Sequence, residues 1–150
     1  MATESRVLII ENDDVLRVML FTILRHQPLA VDTATTADEA MEKTSVCDYA
    51  LILLDADLPE NDAAEFLRRF EIEHAEAPTF IVAVRTAENQ PILHPRVGAV
   101  LNKPLEIDTL AELVRECAAV VPPPEDPLQC PPSESEIRSR LDRSGSYDSN

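Results

Sequence analysis

The sequence LILLDADLP, residues 51–59, carries the strongest structural signal in the chain. Four consecutive apolar residues without alternation are typical of a strand buried on both faces of a parallel sheet. Asp55 follows that strand directly, at the carboxyl end where the ligand and reaction sites of such sheets gather. Taken alone, Asp55 fits a simple turn residue equally well, because Asp is common in turns. The rest of the chain decides between these two interpretations.

Strands and helices alternate on both sides of this stretch. The alternation is typical of an α/β fold with a doubly wound, five-stranded parallel sheet. Between the fourth and fifth strands, Pro91 and Pro95 interrupt the helix that the alternation would place there. Apolar runs predict strands at 6–10, 29–33, 48–54, 79–84 and 97–101, and a 3.6-residue period predicts helices beginning near residues 15, 36, 62 and 107.

The composition of the chain changes at Pro122. Half of its twelve prolines lie in residues 122–150, together with many serines. We therefore divide the chain into a domain of residues 1–121 and an acidic, proline- and serine-rich tail of residues 122–150. Removing the tail is expected to leave the domain folded, because the last core residue assigned from the sequence is Val121.

Two structures are open for the tail. Its composition favours a disordered segment. A short, weak helix that docks on the domain is the alternative, because Ser133 and Glu136 form a capping-box pattern. In that case Ile137 and Leu141, four residues apart, would supply the apolar contact.

Charge and cysteine content exclude several functional classes. The formal net charge of −15 repels phosphate backbones, so we expect no nucleic-acid partner. No apolar run is long enough to span a membrane, and no signal peptide is recognised, so a cytoplasmic protein without a membrane partner is expected. Cys47, Cys117 and Cys130 are odd in number and lack paired spacing, which favours reduced thiols.

Polar side chains follow the first, third and fifth predicted strands. They are Glu11 with Asn12, Asp55, and Lys103. Because the carboxyl ends of parallel strands share one edge of the sheet, these side chains are expected to converge. Carboxylates there can hold Mg²⁺, a lysine can neutralise a phosphoryl group, and an aspartate can accept one.

Three motifs together resemble the receiver domain of two-component response regulators. They are VLIIEND (7–13), LLDADLP (53–59) and NKP (102–104). The resemblance covers residues 6–121 and implies a flavodoxin-like receiver fold. It implies that Asp55 accepts a phosphoryl group from a sensor histidine kinase or a histidine phosphotransfer protein, in a phosphorelay. The protein would then be a phosphoprotein and not an enzyme, and a monomer or weak homodimer.

The resemblance also assigns a metal site and a phosphate contact. Mg²⁺ would be bound by Asp55, Asn12, the backbone carbonyl of Asp57 and, through water, Glu11. Lys103 would pair first with the acceptor carboxylate and then with the phosphate. Asn12 stands where the family usually has a second acid, so weak Mg²⁺ binding is expected unless a neighbouring acid compensates.

Two further departures from the family concern the way phosphorylation is read out. The family usually has Thr or Ser at the end of strand four, and counting from Pro78 places Ala83 there. Thr86 lies three residues further on. The aromatic residue expected three positions before the lysine is replaced by Val100, which is small enough to be buried with or without a phosphoryl group. The sequence therefore predicts a degenerate read-out and little change of shape on phosphorylation.

Three functions fit these observations. The first is a stand-alone receiver phosphorylated at Asp55. The second is a pseudo-receiver that binds a kinase or another partner independently of phosphorylation, which Asn12, Ala83 and Val100 favour. The third is an aspartate-nucleophile phosphatase, but haloacid-dehalogenase-like enzymes resemble this chain only in the DxD spacing of Asp55 and Asp57.

Overall fold

The computed structural model describes residues 5–86, 94–121, 123 and 129–147, the last five by their backbone alone. Their elements, in chain order, are β1 (Ser5–Ile10), α1 (Asp14–Leu24), β2 (Leu29–Ala34), α2 (Ala37–Val46), β3 (Leu51–Asp55), a 3₁₀ turn (Pro59–Asn61), α3 (Asp62–Glu73), β4 (Phe80–Thr86), β5 (Val97–Lys103), α4 (Ile107–Val120) and α5 (Glu134–Tyr147). The strands form one parallel sheet in the order β2-β1-β3-β4-β5. The predicted doubly wound, flavodoxin-like fold is confirmed.

Helices cover both faces of the sheet. On one face Phe66 of α3 packs in a cluster with Ile52, and on the other Leu20 of α1 and Val114 of α4 pack in a cluster with Leu53. Successive residues of a strand point to opposite faces, so β3 supplies both cores. All residues of β1 and β3 are buried, which explains why these strands are apolar without alternation.

Strand β4 is longer than the sequence predicts. It continues through Arg85 to Thr86, and the residue opposite Asp55 is Val84. Ala83 lies inside the strand, pairs with Leu54 and is 1% exposed. The prediction that Ala83 ends strand four is therefore wrong, because counting from Pro78 ignored the two polar residues that extend the pairing beyond the apolar run.

Strand β5 forms the opposite edge of the sheet from β2. Its residues alternate between half-buried and exposed, and the Val100 side chain, on the exposed side, is 45% exposed. Val100 was expected to be small enough to be buried in any state, and this expectation is wrong. The proline-interrupted stretch predicted between β4 and β5 falls on residues 87–93, outside the residues that the structure describes.

Residues 134–147 form a helix, so the helical alternative describes this part of the tail. The capping box is confirmed: the Glu136 N–H donates to Ser133 Oγ (3.2 Å) and the Ser133 N–H donates to Glu136 Oε2 (3.0 Å). Ile137 and Leu141 are 46% and 61% exposed, so they do not supply the predicted apolar contact. The division of the chain at residue 121 stays a prediction.

Polar side chains dock the tail on the open edge of β2. The N–H groups of Val31 and Thr33 donate to Ser135 Oγ (2.8 Å) and to Glu134 Oε1 (2.9 Å). An edge strand leaves such groups without strand partners, and here the tail supplies acceptors for them. The Lys43 ammonium of α2 also contacts the Glu134 carboxylate, at 2.5 Å.

A buried carboxylate joins the tail to the first two strands. Asp32 Oδ2 accepts hydrogen bonds from Arg6 Nε and the Tyr49 hydroxyl, both at 2.8 Å, and Asp32 Oδ1 accepts one from the Glu134 N–H at 2.9 Å. Arg6 donates further to the carbonyl of Pro131 (3.0 Å). Because Asp32 is 4% exposed, its charge needs these partners.

None of the helices in the described ranges is long and apolar enough to cross a membrane.

Candidate functional site

Asp55 is the last residue of β3 and lies at the carboxyl edge of the sheet. Asp55 is 5% exposed. One carboxylate oxygen, Oδ1, accepts hydrogen bonds from the Asp57 N–H (2.9 Å) and from Lys103 Nζ (3.0 Å). The backbone thereby orients the carboxylate, and the ammonium supplies the opposite charge. The predicted contact between Asp55 and Lys103 is present.

Lys103 ends β5 and reaches across β4 to this carboxylate. In the register of the sheet Lys103 stands opposite Thr86. Its Nζ also lies 3.2 Å from Asp57 Oδ2. Burial alone would lower the pKa of Lys103, but the hydrogen bond and the negative charge of Asp55 outweigh it and raise the pKa. The lysine is therefore held as a cation at the edge of the sheet.

Glu11 follows β1 and is almost completely buried beside the acceptor. It is 2% exposed, and its Oε1 accepts a hydrogen bond from the Asp13 N–H at 3.1 Å. Burial raises the pKa of Glu11 to about 7, and a hydrogen bond with Asp55 acts in the same direction. Two adjacent carboxylates in a buried site disfavour a second negative charge. This part of the site therefore needs a proton or a cation.

Asn12 lies in the turn between β1 and α1 and is exposed. Its neighbour Asp13 is the N-cap of α1, where Oδ1 accepts a hydrogen bond from the Leu16 N–H at 2.9 Å. A carboxylate engaged at a helix N-terminus is stabilised in that position. Asp13 is thus committed to the helix and does not replace the charge that Asn12 lacks.

Thr86 is the last residue of β4, a strand that the sequence analysis ended at Val84. Its N–H and its hydroxyl Oγ1 both donate to Asp57 Oδ2, each at 2.9 Å. A hydroxyl therefore stands at the end of β4, in contact with Asp57 and opposite Lys103 in the register of the sheet. The rule that found Asp55, a polar residue directly after a buried apolar run, selects Arg85 here and misses Thr86, because β4 continues for two polar residues beyond Val84.

The oxygen ligands available at the site fit a divalent cation in part. Glu11 and Asp55 supply two adjacent, buried carboxylates with Lys103 as the cation paired with Asp55, and such a pair of carboxylates suits a hard cation with oxygen ligands. Asn12 would supply an amide oxygen at the rim and Asp57 a backbone carbonyl. Within the described ranges no group of three His, Cys, Asp or Glu side chains is arranged as a metal site. Any metal would therefore rest on the carboxylate pair together with neutral oxygens.

The fold and the site define a class, an α/β domain in which an aspartate faces a lysine at the carboxyl edge of a parallel sheet. A model of the response regulator receiver domain matches residues 7–115, and the chain belongs to this family. Receiver domains of two-component systems carry a phosphoaspartate, are phosphorylated by histidine kinases and generally bind Mg²⁺ at that site.

Curated relatives carry more than this domain. The transcriptional regulatory protein PmrA of Pectobacterium parmentieri is 32% identical over 112 residues, which are 73% of this chain and 50% of the relative. The chain thus spans about half the length of the curated relatives it matches. The regulatory roles given in the names of these relatives are those of the full-length proteins.

Solved receiver structures share the fold at low identity. A CheY-like receiver domain from Methanospirillum hungatei superposes with a TM-score of 0.69 at 22% identity, covering 78% of this chain and 95% of that one. The response regulator TrrA of Thermotoga maritima, solved in complex with Mg²⁺ and beryllofluoride, gives a TM-score of 0.65 at 20% identity over 75% and 98% of the two chains.

Proposed function

We propose that this chain accepts a phosphoryl group on Asp55 from a histidine kinase or a histidine phosphotransfer protein, in cytoplasmic two-component or phosphorelay signalling. The observation that carries the proposal is the contact at 3.0 Å between the buried Asp55 carboxylate and Lys103. Glu11 and Thr86 stand at the same edge of the sheet. The chain acts as an acceptor and not as an enzyme, because the group ends on its own carboxylate.

The proposed transfer uses the two charges that meet at the sheet edge. A carboxylate oxygen of Asp55 attacks the phosphorus of a phosphohistidine, so that a P–O bond forms as the P–N bond breaks. The imidazole nitrogen keeps the bonding electron pair and takes a proton from water. Lys103 neutralises the charge that arrives on the phosphoryl oxygens, and the Thr86 hydroxyl can donate to one of them.

Mg²⁺ would be held by Glu11, Asn12, Asp55 and the backbone carbonyl of Asp57. When bound, it would neutralise charge between the incoming phosphoryl group and the carboxylates. Glu11, which is 2% exposed, places a second carboxylate beside Asp55, and this buried negative charge favours a cation there. Asn12 contributes an uncharged ligand, and for this reason we propose weak binding.

The variant Asn12→Asp tests this assignment. It is expected to tighten Mg²⁺ binding by roughly a kcal/mol, because it adds one carboxylate at a partly exposed site. Mg²⁺ titrations followed by amide NMR shifts of the β1–α1 turn would measure the change. Asp14→Asn, which alters an exposed acid in the first turn of α1, is the matched control. An unchanged affinity in Asn12→Asp would show that residue 12 does not face the metal.

Helix α1 presents an exposed apolar face beside the site. Helix α1 begins directly after the Glu11–Asp13 turn and exposes Val15 and Val18, which are 80% and 58% exposed. Residues three apart lie on one face of a helix. We propose that a donor helix packs on this apolar face, because it would bring a phosphohistidine to the carboxyl edge of the sheet.

The proposed read-out keeps the hydroxyl of Thr86 and lacks the aromatic residue at position 100. We further propose a stand-alone receiver, in which α5 covers the open edge of β2 through contacts such as the hydrogen bond from the Val31 N–H to Ser135 Oγ. The second candidate, a pseudo-receiver that binds its partner without phosphorylation, is favoured by Asn12 and by the exposure of Val100.

Phosphoryl uptake by the unaltered protein distinguishes the two candidates. We expect Mg²⁺-dependent labelling from acetyl phosphate and from at least one member of a panel of phosphorylated histidine kinases and phosphotransfer proteins. The label should survive acid and be lost in alkali, as expected of an acyl phosphate. Absence of label from every donor, in a folded protein that still binds one of them, would establish the pseudo-receiver instead.

A further inference from the structure

We propose that the Asp57 carboxylate is a latch: while Asp55 is unmodified it holds Thr86 and Lys103, and it thereby sets how readily the site accepts a phosphoryl group. This inference rests on the proposed function at Asp55 and adds a residue, Asp57, whose carboxylate disfavours phosphorylation there. Asp57 acts here through the groups it holds and is a positioning residue.

Three of the contacts of the Asp57 side chain are made by the same oxygen. Its Oδ2 accepts hydrogen bonds from the Thr86 N–H and from Thr86 Oγ1, both at 2.9 Å, and lies 3.2 Å from Lys103 Nζ. The register of the sheet, which sets Thr86 opposite Lys103, brings these donors together. The side chain of Asp57 is 16% exposed, so water weakens the contacts little.

The backbone of Asp57 is tied to the acceptor while its side chain turns away from it. The Asp57 N–H donates to Asp55 Oδ1, whereas the carboxylate points to the ends of β4 and β5. The backbone of residue 57 is therefore fixed to the reacting carboxylate. A modification of Asp55 that moves residue 57 also changes the hydrogen bonds between the Asp57 side chain and Thr86.

The latch and a phosphoryl group compete for the same donors. The Thr86 hydroxyl has a single hydrogen, so a hydroxyl that donates to Asp57 cannot donate to a phosphoryl oxygen at the same time. Lys103 would have to be shared. A phosphoryl group adds about −1.5 to −2 charges at pH 7, and the Asp57 carboxylate repels it. Asp57 therefore stabilises the unmodified state and penalises the modified one.

A purely structural role for Asp57 makes a different prediction. If its carboxylate served merely to fasten the end of β4, its removal would lower stability and leave the affinity for a phosphoryl analogue unchanged or weaker. Under the latch, removal lowers stability slightly but raises that affinity. The sign of the change in affinity separates the two roles.

The test is a titration with beryllofluoride in the presence of Mg²⁺, followed by amide NMR. We expect Asp57→Ala to bind beryllofluoride about tenfold more tightly than the unaltered protein, the effect of one charge-assisted hydrogen bond. Asp57→Asn should give a smaller gain. Glu60→Gln, which removes an exposed acid from the same loop, is the matched control and should change the affinity little.

Two readouts tie the effect to Thr86. Without beryllofluoride, the Thr86 amide proton should shift strongly in Asp57→Asn, because it loses a charged acceptor. In a Thr86→Val background, Asp57→Ala should raise the affinity by clearly less than tenfold. An undiminished gain in that background would show that charge alone is responsible and would overturn the latch.

The outcomes also separate the latch from the function on which it rests. If the unaltered protein neither binds beryllofluoride nor takes label from any donor, the proposed function fails. If it binds beryllofluoride and Asp57→Ala binds equally well or more weakly, the latch alone is overturned. Should Asp57→Ala fail to fold, the same comparison is made with Asp57→Asn, which preserves the size of the side chain.

Discussion

The Asp55→Asn variant is expected to take up no base-labile phosphoryl label from acetyl phosphate or from a phosphohistidine donor. An amide has no anionic oxygen with which to attack phosphorus, and the site offers this nucleophile at the end of β3. Asp55 is also the carboxylate that Lys103 contacts at 3.0 Å. The label would be followed by gel autoradiography and by intact mass, where uptake adds one phosphoryl group.

A neighbouring substitution supplies the control. Asp57→Asn makes the same chemical change two residues away and leaves Asp55 with its hydrogen bond from the backbone at position 57. Asp57→Asn should still be labelled, and the latch predicts that it is labelled faster than the unaltered protein. Label that persisted in Asp55→Asn with the same lability in alkali would place the acceptor on another carboxylate, with Glu11 the first to examine.

The sheet and three of its site residues were accessible from the sequence because they depend on local patterns. Apolar runs give the strands; Glu11 and Asp55 directly follow theirs, and Lys103 stands two residues after the fifth. The parallel arrangement then brings those residues to one edge. The convergence of acids and a lysine at this edge follows from the parallel arrangement, whereas the pairing of Asp55 with Lys103 was implied by the resemblance to receiver domains.

Thr86 was missed because the length of β4 is set by pairing and not by hydrophobicity. Arg85 and Thr86 continue the ladder opposite Asn102 and Lys103, although the apolar run ends at Val84. Strand ends are the least certain part of any prediction from a single sequence. The latch at Asp57 was hidden for the same reason, since its donor Thr86 lay outside the predicted strand of residues 79–84.

The docking of the tail was hidden for another reason. Patterns of side chains indicated Ile137 and Leu141 as the contact, because apolar spacing is the usual sign of a docked helix. The contact is instead made to backbone N–H groups of β2, which no side-chain pattern displays. A polar segment, Ser133 to Glu136, provides the acceptors.

Removal of residues 122–150 is expected to destabilise the receiver, contrary to the expectation from the sequence. The deletion uncovers the edge of β2, including the N–H groups of Val31 and Thr33. It also takes one hydrogen-bond donor from the buried carboxylate of Asp32. At about 0.5–1.5 kcal/mol net for each lost hydrogen bond, and less the ordering entropy of the tail, the free energy of unfolding should fall by about 2–4 kcal/mol.

Thermal and urea unfolding of the chain with and without residues 122–150 would measure this loss, which corresponds to a fall in Tm on the order of 10 °C. An uncovered edge strand also invites pairing between chains. The shortened protein should therefore associate at concentrations where the full chain does not, and sedimentation velocity would show it.

Point variants in α5 decide which contacts are responsible. Glu134→Ala removes the acceptor of the Thr33 N–H and Oγ1 groups, and Ser135→Ala removes that of the Val31 N–H. Together they should reproduce most of the loss. Ile137→Ala and Leu141→Ala change exposed side chains of the same helix and should each alter the free energy of unfolding by less than about 0.5 kcal/mol. The reverse order, with the apolar pair costly and the polar pair neutral, would show that α5 packs through its apolar side chains and that β2 keeps its edge open to water.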